Sequence, residues 1–327
     1  MKRNIAIGIS LVCIVVIAGF LAMNGRPASK DTYKIGIVQI VDHTSLNTIR
    51  TTFIDQLKEL GYEDGKEISI DYQNAQNDQS LLKTICQKFV SNKYDLIVAI
   101  ATPSAQAAIS ETDDIPVLFT ACTDPISSGL VDSLEKPGKN ATGTSDYVPL
   151  TKSVELADRI TPGITRIGTI YNPGETVSTV MIEELKEYTS KNNMELYEAT
   201  ITSTADTQQA VESIIDKVDA IFLTTDNTVA SSMNLIANIA GKKKIPVYAG
   251  ADSMVQDGAL AGCGVDYEQL AIQTAQMAVE IIQGKEPAEM PVQRLEESFI
   301  FLNTSTAKQI DVTFPDDVIS DATNIFE

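Results

Sequence analysis

YKIGIVQI, from Tyr33 to Ile40, decides the fold class. It is a short apolar run of strand-forming residues, and the period changes directly after it. Leu46 to Leu60 sets Ile49, Phe53, Leu57 and Leu60 at three- and four-residue steps and stops at Gly61, which predicts a helix. Ile68 to Tyr72 then alternates as a strand does, completing a βαβ unit. A second run of the same kind, RIGTIY from Arg166 to Tyr171, starts the series again. Two such halves predict a two-lobed α/β clamp, each lobe a doubly wound parallel sheet with helices on both faces.

The alternation continues through both halves. Leu81 to Val90 reads as a helix, Asp95 to Ile100 as a buried parallel strand, Ser104 to Ser110 as a helix, and Pro116 to Thr120 and Ala141 to Ser145 as strands. In the second half, helices are expected over 177–191, 207–216 and 229–242, with strands over 195–201, 220–224 and 246–249. A strand over 259–265, a long helix from Tyr267 to Gln283 ending at Gly284, and a strand from Phe299 to Leu302 remain. These late elements exceed what the second half needs, so the chain is expected to cross between lobes more than once. The central linker is placed at Tyr147 to Pro149.

Ahead of the first strand, Lys2 and Arg3 precede nineteen uncharged residues from Ile5 to Met23. At ~1.5 Å per residue these are long enough to cross a ~30 Å hydrocarbon core. Residues 1–29 are therefore expected to be a membrane anchor or a signal segment, with the positive flank inside and the rest of the chain outside. Cys13, preceded by Ser10, Leu11 and Val12, sits in a poor context for lipidation.

A net charge of −19 argues against nucleic acid and anionic lipid as partners. Cys86, Cys122 and Cys263 are widely spaced and odd in number, which is neither a disulfide framework nor a zinc pattern. With one histidine in the chain, His43, no metal or cofactor is expected and histidine-based triads are excluded.

In open α/β sheets ligands sit beyond the carboxyl ends of the strands, so those loops hold the candidate site. Thr102 fits an N-cap and Pro103 the first helical position, which sets the Ser104 hydroxyl and nearby amides at a positive helix end suited to a carboxylate. An ordinary capped helix explains the same two residues. Thr123 and Asp124 read equally as a site or as a turn before Pro125. In the other half, Asn172 follows RIGTIY, Asp226 and Asn227 follow AIFLTT, and Asp252 follows PVYAGA. Asp226 or Asp252 could pair with an ammonium group. Asp226 or Asn227 could instead cap the next helix. His43 and Tyr147 offer surfaces for stacking a planar side chain, with a solvated loop as the plainer account of His43.

Four segments carry a family resemblance: DLIVAIATPSAQA from Asp95, PVLFTACTDP from Pro116, TGTSDY from Thr142, and GALAGCGVDYEQLAIQTAQMAVEIIQGKEP from Gly258. With them the chain resembles the extracytoplasmic substrate-binding proteins of ABC transporters, in the family that includes bacterial tryptophan- and phenylalanine-binding lipoproteins. The likeness spans Tyr33 to Leu302. It implies the type I periplasmic-binding fold, two Rossmann-like lobes joined by three crossovers, here near Ser145 to Val148, Gly258 to Leu260 and Pro291 to Glu297. One lobe would comprise residues 30–145 and 259–290, the other 146–258 and 298–327. The resemblance further implies a monomer outside the membrane, tethered by its amino-terminal segment or secreted after cleavage. It would deliver a small ligand, an aromatic amino acid, to a membrane permease. The ligand carboxylate would fall to Ser104, Ala121 and Thr123.

Two rivals use similar lobes. A racemase-type enzyme would place Cys122 and Cys263 as acid and base, although Cys263 in ALAGCGV reads as a buried thiol. A ligand-sensing module would require an output domain or a basic helix-turn-helix, and residues 1–4 offer neither.

Overall fold

The computed structural model describes residues 32–295 and 298–327. The expected anchor or signal segment, 1–29, and its Cys13 lie outside the described residues. Among the described residues no helix is long and apolar enough to cross a membrane.

The first sheet begins with β1 (Tyr33–Gln39), α1 (Thr44–Glu59), β2 (Ile68–Asn74), α2 (Gln79–Ser91), β3 (Leu96–Ile100), α3 (Thr102–Glu111), β4 (Val117–Thr120) and β5 (Ala141–Ser145). All its strand pairs are parallel, and β1 and β3 lie inside it. Helices cover both faces, so β3 is buried at every position and can be apolar throughout. Helix α1 buries Leu46, Ile49, Phe53 and Leu57, one stripe at helical spacing, each contributing roughly 1.5–3 kcal/mol. Asp78 caps α2, accepting from the amides of Ser80 and Leu81. A Cβ at Gly36 would lie 2.7 Å from the Phe89 ring, which explains glycine in the middle of β1.

The second sheet is built from α4 (Leu150–Ile160), β6 (Arg166–Tyr171), α5 (Thr176–Lys191), β7 (Glu195–Thr200), α6 (Thr207–Ile214), β8 (Ala220–Leu223), α7 (Asn227–Ala230), α8 (Met233–Lys243), β9 (Val247–Ala249), α9 (Asp252–Gln256) and β10 (Ala261–Gly264). After α10 (Tyr267–Ile282), β11 (Gln293–Arg294) pairs with β5 in the first sheet. β12 (Phe299–Asn303), α11 (Thr304–Gln309), α12 (Asp316–Asp321) and β13 (Ala322–Phe326) close the chain. Strand order is β11-β5-β4-β3-β1-β2 in the first sheet and β13-β12-β10-β9-β8-β6-β7 in the second. β12 runs antiparallel to β10, and the other pairs of the second sheet are parallel.

Several boundaries differ from the sequence expectation. Residues 261–264 belong to the second sheet, so 259–290 does not return to the first lobe as a block. The chain crosses at Val265 and Asp266, rather than at Gly258 to Leu260, and only then does α10 pack on α1, β4 and β5. The sequence AGCG has room for close strand approach, a Cβ at Gly262 meeting the Ala249 carbonyl oxygen at 2.1 Å, but names no partner. The last crossing follows Arg294 and includes residues 296 and 297, outside the described residues. Helix α4, α9 and the elements after Asn303 were not expected. The helix expected over 229–242 is two, broken where Ser231 and Ser232 hydroxyls bond back to the carbonyls of Asn227 and Thr228.

Candidate ligand cleft between the lobes

The carboxyl ends of β1, β3, β4 and β5 face those of β6, β8 and β9 across a narrow cavity. Leu46, Val177 and Met254 supply apolar wall, and Asp146, Thr123, Tyr267, Glu175, Asn227 and His43 supply polar groups.

Asp146 follows β5 directly and is the carboxylate that the first crossover carries into the cavity. Thr123 Oγ1 donates to its Oδ1 at 2.8 Å and Tyr267 OH to its Oδ2 at 2.9 Å. Burial pushes its pKa upward, against the pull of those two hydrogen bonds. A cation placed beside it would offset the cost of holding a buried charge.

Positive helix ends meet the same space. Ala101 is the N-cap of α3 and has no side chain to cap with, and His43, N-cap of α1, makes no capping bond. First-turn amides of both helices therefore lack intrahelical acceptors near the cavity, a setting for an anion. Ala101 and Ala121 both hold left-handed backbone, φ 74° and 53°, at the ends of β3 and β4. Non-glycine residues adopt that region at a cost of order 1–3 kcal/mol, and such strain collects where a ligand or backbone must be held in place.

Glu175 enters from the second lobe. It accepts from the amide and Nδ2 of Asn227 at 3.1 and 2.6 Å, and from the amide and Oγ1 of Thr228, both at 3.2 Å. Burial first, and then the neighbouring Asp226 charge, push its pKa up to about 8. Asn227 Oδ1 in turn lies 3.3 Å from His43 Nε2 across the cleft.

Of the residues singled out in the sequence, His43, Thr102, Ala121, Thr123 and Asn227 line the cavity. Thr102 is the first residue of α3, and Ala101 takes the N-cap position expected of it. Ser104 is fully buried beneath the lining, its hydroxyl without a partner. Asp124 turns away, accepting from the Ser127 amide. Tyr147 donates to both carboxylate oxygens of Glu184, at 2.9 and 3.0 Å, with the Arg294 guanidinium 5.4 Å from its ring centroid. Asn172 borders an outer part of the cleft and bonds Thr228. Asp226 does not face the cavity: its carboxylate accepts from the Asn172 amide and Ser178 Oγ, both at 2.7 Å, and from the Val229 amide at 2.9 Å. It caps α7, the alternative left open for it. Asp252 accepts from its neighbour's amide and lies outside the lining, burial raising its pKa to about 6.

Asp146, Glu175, Thr225 and Tyr267 were not singled out. The strand-end rule applied to β5 would have found Asp146; nothing in the sequence marks Tyr267. Neither Cys122 nor Cys263 lines the cavity, and burial raises both thiols, Cys263 to about 11, so no reactive pair is assembled there.

The model of the ABC transporter substrate binding protein family matches residues 34–326. The chain belongs to that family. Its members are substrate-binding proteins that work outside the cytoplasm, so this chain is a protein that binds a small molecule. It is 45% identical over 289 residues to a tyrosine-binding protein of Clostridioides difficile, covering 88% of this chain and 84% of the relative. A structure of an ABC domain from Streptococcus pneumonia in complex with L-Trp is 36% identical, with TM-score 0.87 over 90% of this chain and 100% of that one. A ligand-free, open structure of a substrate-binding protein with adhesive properties from Clostridium difficile is 43% identical and covers 90% of this chain and 99% of that one, at TM-score 0.69. The binding protein thus superposes less well on the open relative, although that relative is the more similar of the two structures in sequence. Its lobes stand in the closed arrangement, joined across the cleft by His43 with Asn227, Ser45 with Ser253, and Thr123 with Thr225.

Proposed function

We propose that this substrate-binding protein carries an aromatic amino acid to a membrane permease, working as a monomer tethered or exported through its amino-terminal segment. The observation that carries the ligand class is Asp146, a buried carboxylate fixed by Thr123 and Tyr267 at the crossover, which pairs with the ligand ammonium. The uncapped ends of α1 and α3 receive the ligand carboxylate, with Thr102, Ala121 and Thr123 beside them. The ring lies against Leu46, Val177 and Met254. The relatives' own ligands, tyrosine in one name and L-Trp in one structure, support the same class. Binding favours the closed form because both lobes contribute groups that meet only on closure.

The chain contains no tryptophan, so the emission of added L-tryptophan is read against tyrosine alone. The full chain, unfolded to strip ligand and refolded, is titrated with L-tryptophan and, by calorimetry, with L-tyrosine. Saturable binding of either, competed by phenylalanine, is the expected result. A folded sample that binds none of the three overturns the aromatic reading.

A further inference from the structure

Tyr267 begins α10, just after the second crossover at Val265 and Asp266, and Asp266 caps the helix through the amides of Glu268 and Gln269. Its hydroxyl reaches Asp146, which lies 121 residues earlier on the first crossover. One hydrogen bond of 2.9 Å therefore joins two separate crossovers at a carboxylate that lines the cavity. Both side chains are enclosed, Tyr267 3% and Asp146 4% exposed.

The position of the phenol is set deeper in the first lobe. Thr274, seven residues along α10 and on the same face, holds its hydroxyl 2.9 Å from that of Thr144 and 3.1 Å from that of Thr120. Thr144 lies on β5 just before Asp146, and Thr120 ends β4 just before Thr123. Ser145 Oγ also donates to the Thr123 carbonyl at 2.9 Å. Helix and strand ends thus form one block, which sets a hydroxyl donor on each oxygen of Asp146, Thr123 on Oδ1 and Tyr267 on Oδ2. Burial, and then the Asp146 charge, push the phenol well above its ordinary pKa, so it stays the donor. Each carboxylate oxygen keeps a lone pair for a further group.

We propose that Tyr267 is a positioning residue that makes the cleft select ligands carrying an ammonium group. It holds Asp146 at the cavity, where an amine pairs with the carboxylate and a ligand without one leaves it buried and unpaired. This rests on the reading of Asp146 given above. Both sides of the selection have one source, since a fixed buried charge favours the right ligand and opposes the wrong one. Without the phenol hydroxyl, Asp146 keeps the Thr123 bond alone and is free to turn. Pairing with an amine then weakens, and the cost imposed on a ligand lacking one relaxes.

Tyr267→Phe keeps the ring and removes only the hydroxyl. Kd is measured by calorimetry for L-tyrosine and for 3-(4-hydroxyphenyl)propanoate, the same molecule without its amine, with the unmodified full chain and with Y267F. The variant should bind L-tyrosine about tenfold more weakly, the scale of one hydrogen bond to a charged group, and bind the propanoate as well as before or better. A merely structural brace would weaken both ligands alike, and that result overturns the proposal, as does unchanged affinity for L-tyrosine. A cycle with Asp146→Asn decides the matter where the propanoate binds too weakly to compare. In the D146N chain, Y267F should cost less than about threefold in L-tyrosine affinity, and a full tenfold loss there overturns the proposal. L-tryptophan and indole-3-propanoate replace the pair if L-tyrosine does not bind. If the unmodified chain binds neither amino acid, the ligand reading itself fails and the selection falls with it, a failure seen before any variant is made.

Discussion

Thr123 Oγ1 lies 3.3 Å from Thr225 Oγ1 across the cleft and donates to Asp146 at 2.8 Å, so one hydroxyl touches both the opposite lobe and the buried carboxylate. In the proposed reading, ligand capture and lobe closure share an atom. Asp146→Asn keeps the shape and removes the charge. It should weaken an amino-acid ligand by at least about 2 kcal/mol, roughly thirtyfold in Kd, because the ammonium is left buried without its partner. Calorimetry at neutral pH checks this; unchanged affinity would detach Asp146 from the ligand.

Asp226→Ala should act on folding first. The carboxylate satisfies two amides and a hydroxyl inside the second lobe, and removing it strands those donors at a cost of about 2–4 kcal/mol. Chemical denaturation should show a lowered midpoint with an unchanged slope. A variant of wild-type stability that has lost only ligand affinity would contradict the capping role.

Ala121→Val tests the strained strand end. Valine is β-branched and Ala121 holds φ 53°, so the substitution should cost about 1–3 kcal/mol and also weaken binding by shifting the cavity wall. Replacement by glycine, which accepts that backbone freely, should be neutral or slightly stabilising. Thermal unfolding of the two variants side by side decides it.

Asp219 answers to acid. The Arg166 guanidinium and the amides of Thr165 and Arg166 hold its pKa down to about 2. Its folded value is below the unfolded one, so its contribution is complete above about 4 and is lost as pH falls toward 2. Discounted for solvent screening, the contribution is about 1 kcal/mol. Asp219→Asn should lower stability at pH 6 by that amount and flatten the profile between pH 4 and 2.

The strands at 96–100 and 117–120 were legible because buried parallel strands carry near-continuous apolar runs between loop residues. Helix α4 was equally legible but was passed over: Leu150, Val154, Ala157 and Ile160 keep helical spacing directly after the linker, with Pro149 as N-cap. Strand β10 was another matter. Its four residues are small and buried, and their place in the second sheet depends on Val247–Ala249 and Phe299–Asn303 as partners, which local pattern does not name.

Local sequence was enough for two α/β halves, for their family, and for a candidate site among the loops after the strands, because periodicity and chain direction are local properties. Which of those loop residues face the cavity was decided only in three dimensions. Asp146 and Asp226 each follow a strand closely and are alike as sequence. One meets Thr123 and Tyr267 at the edge of the cleft, and the other is drawn inward by Asn172, Ser178 and Val229. The direction of each carboxylate was set by donors from 3 to 121 residues away, brought into hydrogen-bond range by packing of the lobes.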